Sequence, residues 1–293
     1  MISQSSSGTP GPDSIHFEKY EGLGNDFIIV DGRPSTAPKL PLALRVALCD
    51  RHKGIGADGV ITVLPGREPA SLVRMHITNS DGTIPEMCGN GLRCLMRWLF
   101  DRREVVAGTS YQVDTDAGLH LCEVNVHEVR VRMPAARFQD DVLGDAAGMQ
   151  SLQVDSEQFQ GVAVSMGNPH WVMLREPMPT MDEIQRVGPL LSAHPDFPMG
   201  VNVGFACPET QKRLRLVVWE RGAGLTQACG TGACAAVAAG VQQGLLAPDA
   251  DVEVFLPGGE LRIRIPSQKD CVWMSGPARL VFAGQCSPAG WPG

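Results

Sequence analysis

ERGAGLTQACGTGACAA (residues 220–236) and an earlier stretch, EMCGNGLRCLMR (residues 86–97), share one device. Each sets a cysteine in the pattern Cys-Gly-x-Gly, runs from it into a segment of helical composition, and repeats a cysteine inside that segment's first turns. Two copies point to one site built twice. The register agrees: the step along the chain from Cys88 to Cys229 matches, to within a couple of positions, the step from Asn25, in GLGN, to Asn168, in the turn GNPH. The interval from asparagine turn to cysteine is therefore nearly the same in both copies. A duplicated unit explains both motif pairs at once, whereas chance must supply each separately.

Working outward, residues 16–31 alternate and then run apolar at 27–30, a strand pattern broken by a turn at Gly22, Gly24 and Asn25. Residues 40–49 read as a short helix, 60–64 and 72–78 as strands, and 79–83 as a turn. Leu92, Leu95, Met96, Leu99 and Phe100 have helical spacing, which predicts a helix over 92–101. From 111 to 133 the period returns to two. The second half repeats the plan, with strands at 161–165 and 171–174, a polar helix at 181–191, a strand at 213–219, a small-residue helix at 232–243, and strands at 252–255 and 261–265. Each half therefore sets strands around one central helix.

A chain of 293 residues has room for two domains with their own cores. Hydrophobic residues at 43% and charged residues at 19% describe a soluble globular protein, and 33 glycines, 22 prolines and 5% aromatics predict many turns and small-residue packing. A formal net charge of -7 disfavours nucleic acid or an anionic membrane as partner, since both depend on basic patches. A small molecule is the expected partner. The start of the chain lacks the charged and apolar regions of a secretory signal, so residues 1–14 read as a mobile tail. No apolar run reaches the ~20 residues of a membrane span. Nine cysteines in a chain without an export signal are expected to stay reduced, which points to the cytoplasm. Gly54, Gly56 and Gly59 match a dinucleotide fingerprint by spacing alone; the required strand before and helix after are missing, and the glycines read as tight turns.

The chemistry starts at the two cysteines. A cysteine just before a helix, flanked by glycine, faces free backbone N–H groups and the positive end of the helix dipole. Such placement is expected to lower the thiol pKa from ~8.5 toward neutrality, and the same loop can hold a carboxylate. Three readings compete. Spacings of six (Cys88, Cys94) and five (Cys229, Cys234) are not the two-residue hooks of structural zinc, so no metal is expected. Burial as small hydrophobes suits Cys94 and Cys234, which lie inside the helices. For Cys88 and Cys229 the third reading is acid–base work on a carbon acid, one thiolate removing a proton from one face and one thiol returning it to the other. No lysine stands in a pyridoxal-type setting and no nucleotide loop fits, so no cofactor is expected. Preorganised N–H donors and exclusion of water would then stabilise the carbanion-like transition state.

With GLGNDF (residues 22–27), NSDGTIPEMCGNGLRC (79–94), GNPH (167–170), NVGF (202–205) and ERGAGLTQACGTGACA (220–235) in this order, the chain resembles the diaminopimelate epimerase family from about residue 16 to about 280. The resemblance implies a cofactor-independent isomerase interconverting LL- and meso-diaminopimelate, in lysine and peptidoglycan-precursor synthesis. It makes Cys88 and Cys229 the two-base pair. It gives Asn25, Asn79, Asn168 and Asn202 hydrogen bonds to the substrate, Arg221 a bidentate clamp on a carboxylate, and the N–H groups of Gly89, Asn90, Gly230 and Thr231 the carboxylate of the reacting centre. His170 and Glu220 would stand beside the thiols and set their protonation. Taken singly, each asparagine has a duller reading as a turn residue and each charged residue as a surface group.

Three positions depart from the family pattern: Gly59 where many members carry Gln, Leu225 where Glu is common, and Trp171 where smaller residues are often seen. The resemblance also implies the fold, of α/β class: two pseudo-symmetric domains, each a curved, mostly antiparallel sheet wrapped around a central helix, with the C-terminal strand returning to the first. The expected division is 15–134 plus 276–293 against 135–275. A homodimer that closes on its substrate is expected. The rivals are a sister racemase of proline or hydroxyproline type and a non-catalytic binding protein on the same scaffold.

Overall fold

The computed structural model describes residues 14–34, 40–85, 87–139, 148–287 and 291. All of the expected tail but Ser14 lies outside the described residues. The first half runs β1 (Ile15–Gly22), β2 (Asn25–Asp31), α1 (Leu42–Cys49), β3 (Gly59–Leu64), β4 (Ser71–Asn79), α2 (Gly89–Asp101), β5 (Ser110–Thr115), β6 (Gly118–Val124) and β7 (Val129–Met133). The second runs β8 (Gly148–Val154), β9 (Glu157–Ser165), β10 (Pro169–Leu174), α3 (Met181–Ser192), β11 (Asn202–Thr210), β12 (Arg213–Glu220), β13 (Gly224–Leu225), α4 (Gly230–Gln242), β14 (Asp251–Leu256), β15 (Gly259–Arg264) and β16 (Val272–Gly276), and β17 (Arg279–Cys286) ends the chain.

The pairing repeats with the sequence. In the first half each strand from β1 to β7 lies beside the next, antiparallel except at β2–β3 and β4–β5. In the second half the path β9–β10–β11–β12–β14–β15–β16 is antiparallel except at β10–β11 and β12–β14, the equivalent places. Register is kept, since the step from α2 to α4 and the step from β7 to β16 both reproduce, to within a couple of positions, the step between the two cysteine motifs. The halves join where β7 and β16 pair antiparallel, Val131 opposite Met274. At the outer ends β8 flanks β9, while β17 crosses back from the far end of the chain to flank β1.

Burial parity explains the continuous apolar runs. Along β2, Phe27 and Ile29 enter the main core around α2, while Ile28 and Val30 face a second core under α1 with Leu44, Leu48 and Val60. Along β10, Val172 enters the main core while Trp171 and Met173 join Ile184, Val187 and Leu191 of α3. A strand buried on both faces has no polar face to show. Both central helices are largely buried, and from Gly230 to Gly240 every residue of α4 is buried. Alanine and glycine let strands approach α4 closely, and that is what its small-residue composition encodes.

Both central helices begin earlier than apolar periodicity indicated, at Gly89 and Gly230 and not near Leu92 and Gly232. Their first turns are glycine-rich and carry no apolar signal; what starts them is the cysteine itself, as shown below. Apart from the short β13, three strands went unread, β8, β11 and β16, and β17 was expected only from the resemblance, as the C-terminal strand returning to the first half. In β17 Leu280, Val281, Phe282 and Ala283 are all exposed, so no period-two pattern exists there to read.

Candidate active site

Cys88 and Cys229 are the N-caps of α2 and α4. The Cys88 Sγ accepts from the Gly91 N–H at 3.2 Å and the Cys229 Sγ from the Gly232 N–H at 3.4 Å. Sulfur thus takes the place that a serine or aspartate oxygen usually fills at a helix start. Met274, fully buried on β16, packs against both first turns: a Cβ at Gly89 would stand 2.4 Å from its Cε, and one at Gly230 2.9 Å from its Sδ. The two helix N-termini are therefore held face to face across one cavity of about 730 Å³, whose wall includes both cysteines.

Of the residues singled out in the sequence, Asn25, Asn79, Gly89, Asn90, Glu220, Gly230 and Thr231 also line this cavity. Asn168, His170, Asn202 and Arg221 stand behind it. Asn168 Nδ2 reaches the Thr231 hydroxyl at 3.4 Å, and its Oδ1 lies 3.1 Å from the His170 Nε2. Asn202 is buried, donating to the Pro169 carbonyl and accepting from the Arg221 backbone N–H. The Arg221 Nη1 donates to the Met199 carbonyl at 3.1 Å. Cys94 and Cys234 are fully buried in the helices, in keeping with a packing role.

The expected lowering of the thiol pKa is overturned. Burial pushes Cys88 up to about 11 despite the Gly91 N–H and the nearby Arg93 charge. Burial, then the charge of Glu220, raises Cys229 well above the ordinary thiol value, and the Thr231 hydroxyl and Gly232 N–H offset only part of this. One or two amide dipoles do not match the cost of holding a thiolate out of water. Burial likewise raises the Glu220 carboxyl, although Thr226 (Oγ1 to Oε1, 2.6 Å) and Cys229 both hydrogen-bond to it. His170 falls to about 3, first through burial and then through the charge of Arg221, so it is a neutral imidazole at working pH. The site thus holds two strongly basic sulfurs, a neutral histidine behind one wall, and two helix N-termini aimed inward.

Sequence reasoning missed several wall and support residues. Asp58 and Arg51 line the cavity, with Arg51 bridging Asp58 (2.8 Å) and Asp26 (2.7 Å), and Asp58 accepting from Asn25 Nδ2 at 2.6 Å. Arg93 lies fully buried behind Asn90. A charged residue amid Leu92, Cys94, Leu95 and Met96 was the available signal. Of the three departures, Trp171 points away from the cavity into the core under α3, seated over Gly161, where a Cβ would come within 2.4 Å of the indole. At Gly59 a Cβ would stand 2.7 Å from the Thr78 carbonyl and 3.4 Å from the Phe27 ring, which itself lines the cavity. Leu225 is on the wall.

A hydroxyproline epimerase from Agrobacterium vitis, solved with trans-4-hydroxy-L-proline, has the same fold at 16% identity and a TM-score of 0.66, covering 94% of this chain and 93% of its own. A PhzF-family phenazine biosynthesis protein from Bacillus anthracis superposes at a TM-score of 0.65 and 16% identity, covering 93% and 99%. Sequence relatives are nearer. A diaminopimelate epimerase from Synechococcus sp. (strain JA-3-3Ab) is 46% identical over 283 residues, 93% of this chain and 98% of the relative. One from Desulfitobacterium hafniense is 42% identical over 279 residues, 91% and 96%. Since the model of the family described as diaminopimelate epimerase matches residues 17–139 and 162–281, through both halves and both cysteine motifs, the chain belongs to the diaminopimelate epimerase family.

Proposed function

We propose that the protein interconverts LL- and meso-diaminopimelate, in lysine and peptidoglycan-precursor synthesis, by passing protons through Cys88 and Cys229 without a cofactor. The observation that carries this reading is the pair of cysteines, each capping a buried helix, on one cavity wall. A thiolate takes the α-proton, forming S–H, and the C–H electron pair stays on the substrate, spread into its carboxylate. The opposing thiol gives its proton to the other face and becomes the thiolate. One thiol and one thiolate are present before and after, with their places exchanged.

Charge grows on the carboxylate oxygens during the transfer, and the N–H groups of Gly89, Asn90, Gly230 and Thr231 at the helix N-termini suit that charge. The raised basicity of the half-buried Cys88 and buried Cys229 sulfurs serves the reaction, because a carbon acid needs a strong base. Glu220 and the neutral His170 set the protonation of the thiols. Asn25, Asn79, Asn168, Asn202 and Arg221 bind the amino and carboxylate groups of the substrate. Closure of the halves about the β7–β16 junction draws Asn168, Asn202 and Arg221 onto it. A cavity of this size and a second set of polar groups favour a two-ended substrate over proline.

The same reading divides the chain into 15–134 plus 276–293 and 135–275, supported by the return of β17 to β1. It takes the protein as a cytoplasmic homodimer. Free thiols at Cys49, Cys122, Cys207 and Cys271 suit a reducing compartment, and Leu280, Val281 and Phe282, exposed together on β17, suit an apolar contact between copies.

Exchange in deuterated water tests the function: the enzyme is expected to wash deuterium into the α-position of diaminopimelate and leave proline untouched. Exchange into neither substrate sinks the epimerase reading, and exchange into proline alone supports the sister racemase.

A further inference from the structure

Arg93 is fully buried in α2, one turn beyond Asn90. Its Nη1 donates to Asn90 Oδ1 at 2.7 Å and touches Met274 Sδ at 3.7 Å; its Nε donates to the Pro277 carbonyl at 3.3 Å. Asn90 in turn donates to Asn25 Oδ1 at 3.1 Å, so the guanidinium anchors a chain that ends at Asp58. The Nη2 is buried without a hydrogen-bond partner, and among the described residues no carboxylate forms an ion pair with Arg93. The fold makes room for it: a Cβ at Gly22 would stand 3.0 Å from Nη2, and one at Gly276 3.2 Å from Nε.

Burial lowers the pKa of the Arg93 guanidinium, but it starts so high that the group keeps its charge at working pH, and an ion buried without a counter-ion carries a large desolvation cost. In the register that aligns Cys88 with Cys229, the equivalent position of the other half is Cys234, buried and uncharged. The duplicated core thus accepts a neutral side chain there, and only the first copy carries a cation. The second copy carries the opposite charge: Glu220 hydrogen-bonds to Cys229, while the equivalent end of β4 carries the neutral Thr78 and Asn79.

We propose that Arg93 is a positioning residue that breaks the two-fold symmetry of the site electrostatically. Its fixed charge behind the first turn of α2 makes Cys88 the more readily ionised of the two sulfurs, while Glu220 holds the proton on Cys229. Burial raises Cys88 most; of the groups that face it, the Gly91 N–H and Arg93 favour the thiolate, and each outweighs Glu220 and Asp58, which oppose it. Facing Arg93 are Cys88, Cys94, Cys234 and the more remote Glu21. Cys94 and Cys234 are sealed in the core with their thiols pushed up still further by burial, which leaves Cys88, on the cavity wall, as the sulfur facing Arg93 that a substrate can reach.

The proposal rests on the two-base reading, so its test does not use turnover. Iodoacetamide labelling of the intact wild-type enzyme, with each cysteine quantified by peptide mass spectrometry from pH 6 to 10, is expected to be faster at Cys88 than at Cys229 at every pH; the reverse order overturns the proposal. In a Cys229→Ala background, Arg93→Gln keeps a donor for Asn90 without the charge and is expected to label Cys88 about tenfold more slowly at pH 8, whereas Arg93→Lys labels at nearly the parental rate. Equal rates in Arg93→Gln and the parent overturn the proposal, as does an Arg93→Lys as slow as Arg93→Gln. If Arg93→Gln does not fold, the order of the wild-type labelling rates decides. Retained epimerisation in Cys88→Ala defeats the two-base reading separately, whatever the labelling gives.

Discussion

At the scale of single residues, the four motif cysteines divide into two kinds. Cys88→Ala and Cys229→Ala each remove one of the two proposed proton carriers and are expected to cut epimerisation by at least about a thousandfold in both directions, measured with either isomer. Cys94→Ala and Cys234→Ala remove buried sulfur from the helix interior; they are expected to cost about 1 kcal/mol in denaturant unfolding and to leave turnover near wild type. His170 adds a pH signature. Its native pKa of about 3 lies below the ordinary 6.5, so between these values the unfolded chain binds more protons than the native one, and stability falls as pH drops through that window. Glu220, raised in the native state, acts in the opposite sense, its penalty growing as pH rises above 4.5. The thermal stability of the wild type is expected to fall from pH 6.5 to 4.5 as the His170 contribution is lost, by less than His170 alone would give because Glu220 opposes it, and His170→Gln to flatten or reverse that slope. The cysteines were legible in the sequence because a motif repeats around them. Their raised pKa values were not, since a motif displays the local N–H groups and not the depth at which the sulfur is buried. Arg93 and Asp58 escaped for a related reason: each acts through partners distant in the chain, Pro277 and Met274 for one, Asn25 and Arg51 for the other.

At the scale of elements, caps decided what periodicity could not. Thr180 caps α3 in the ordinary way, its hydroxyl accepting from the Glu183 N–H at 3.2 Å, with Asp182 and Glu183 in the first turn facing the helix dipole. Thr180→Ala is expected to cost about 1 kcal/mol in chemical denaturation without changing turnover, since α3 packs on the outer face of its sheet. The central helices use the same position for sulfur, which is why their starts were misread by two or three residues while their existence was plain. Strands with one polar face, such as β7 with its VRVRM, were legible. β8 and β16 were not, because pairing across the junction of the halves and along the outer edge supplies what their short patterns lack.

At the scale of the whole molecule, the duplication was legible as register arithmetic, and the structure turns that arithmetic into matching parallel pairs and matching helices. Its two-fold character has a kinetic consequence. Under the proposed mechanism each catalytic event leaves the proton on the other sulfur, so the free enzyme alternates between two forms, each competent for one isomer only. Solvent must carry a proton between them before the same isomer can be processed again. Progress curves started from LL- or meso-diaminopimelate at rising concentration are expected to reach a ceiling set by this relaxation, with the approach to equilibrium slowing as both isomers become saturating; a rate that depends on enzyme saturation alone counts against it. Under that mechanism, helix N-termini held face to face by Met274 would make the protein a two-stroke device, in which the return stroke belongs to water.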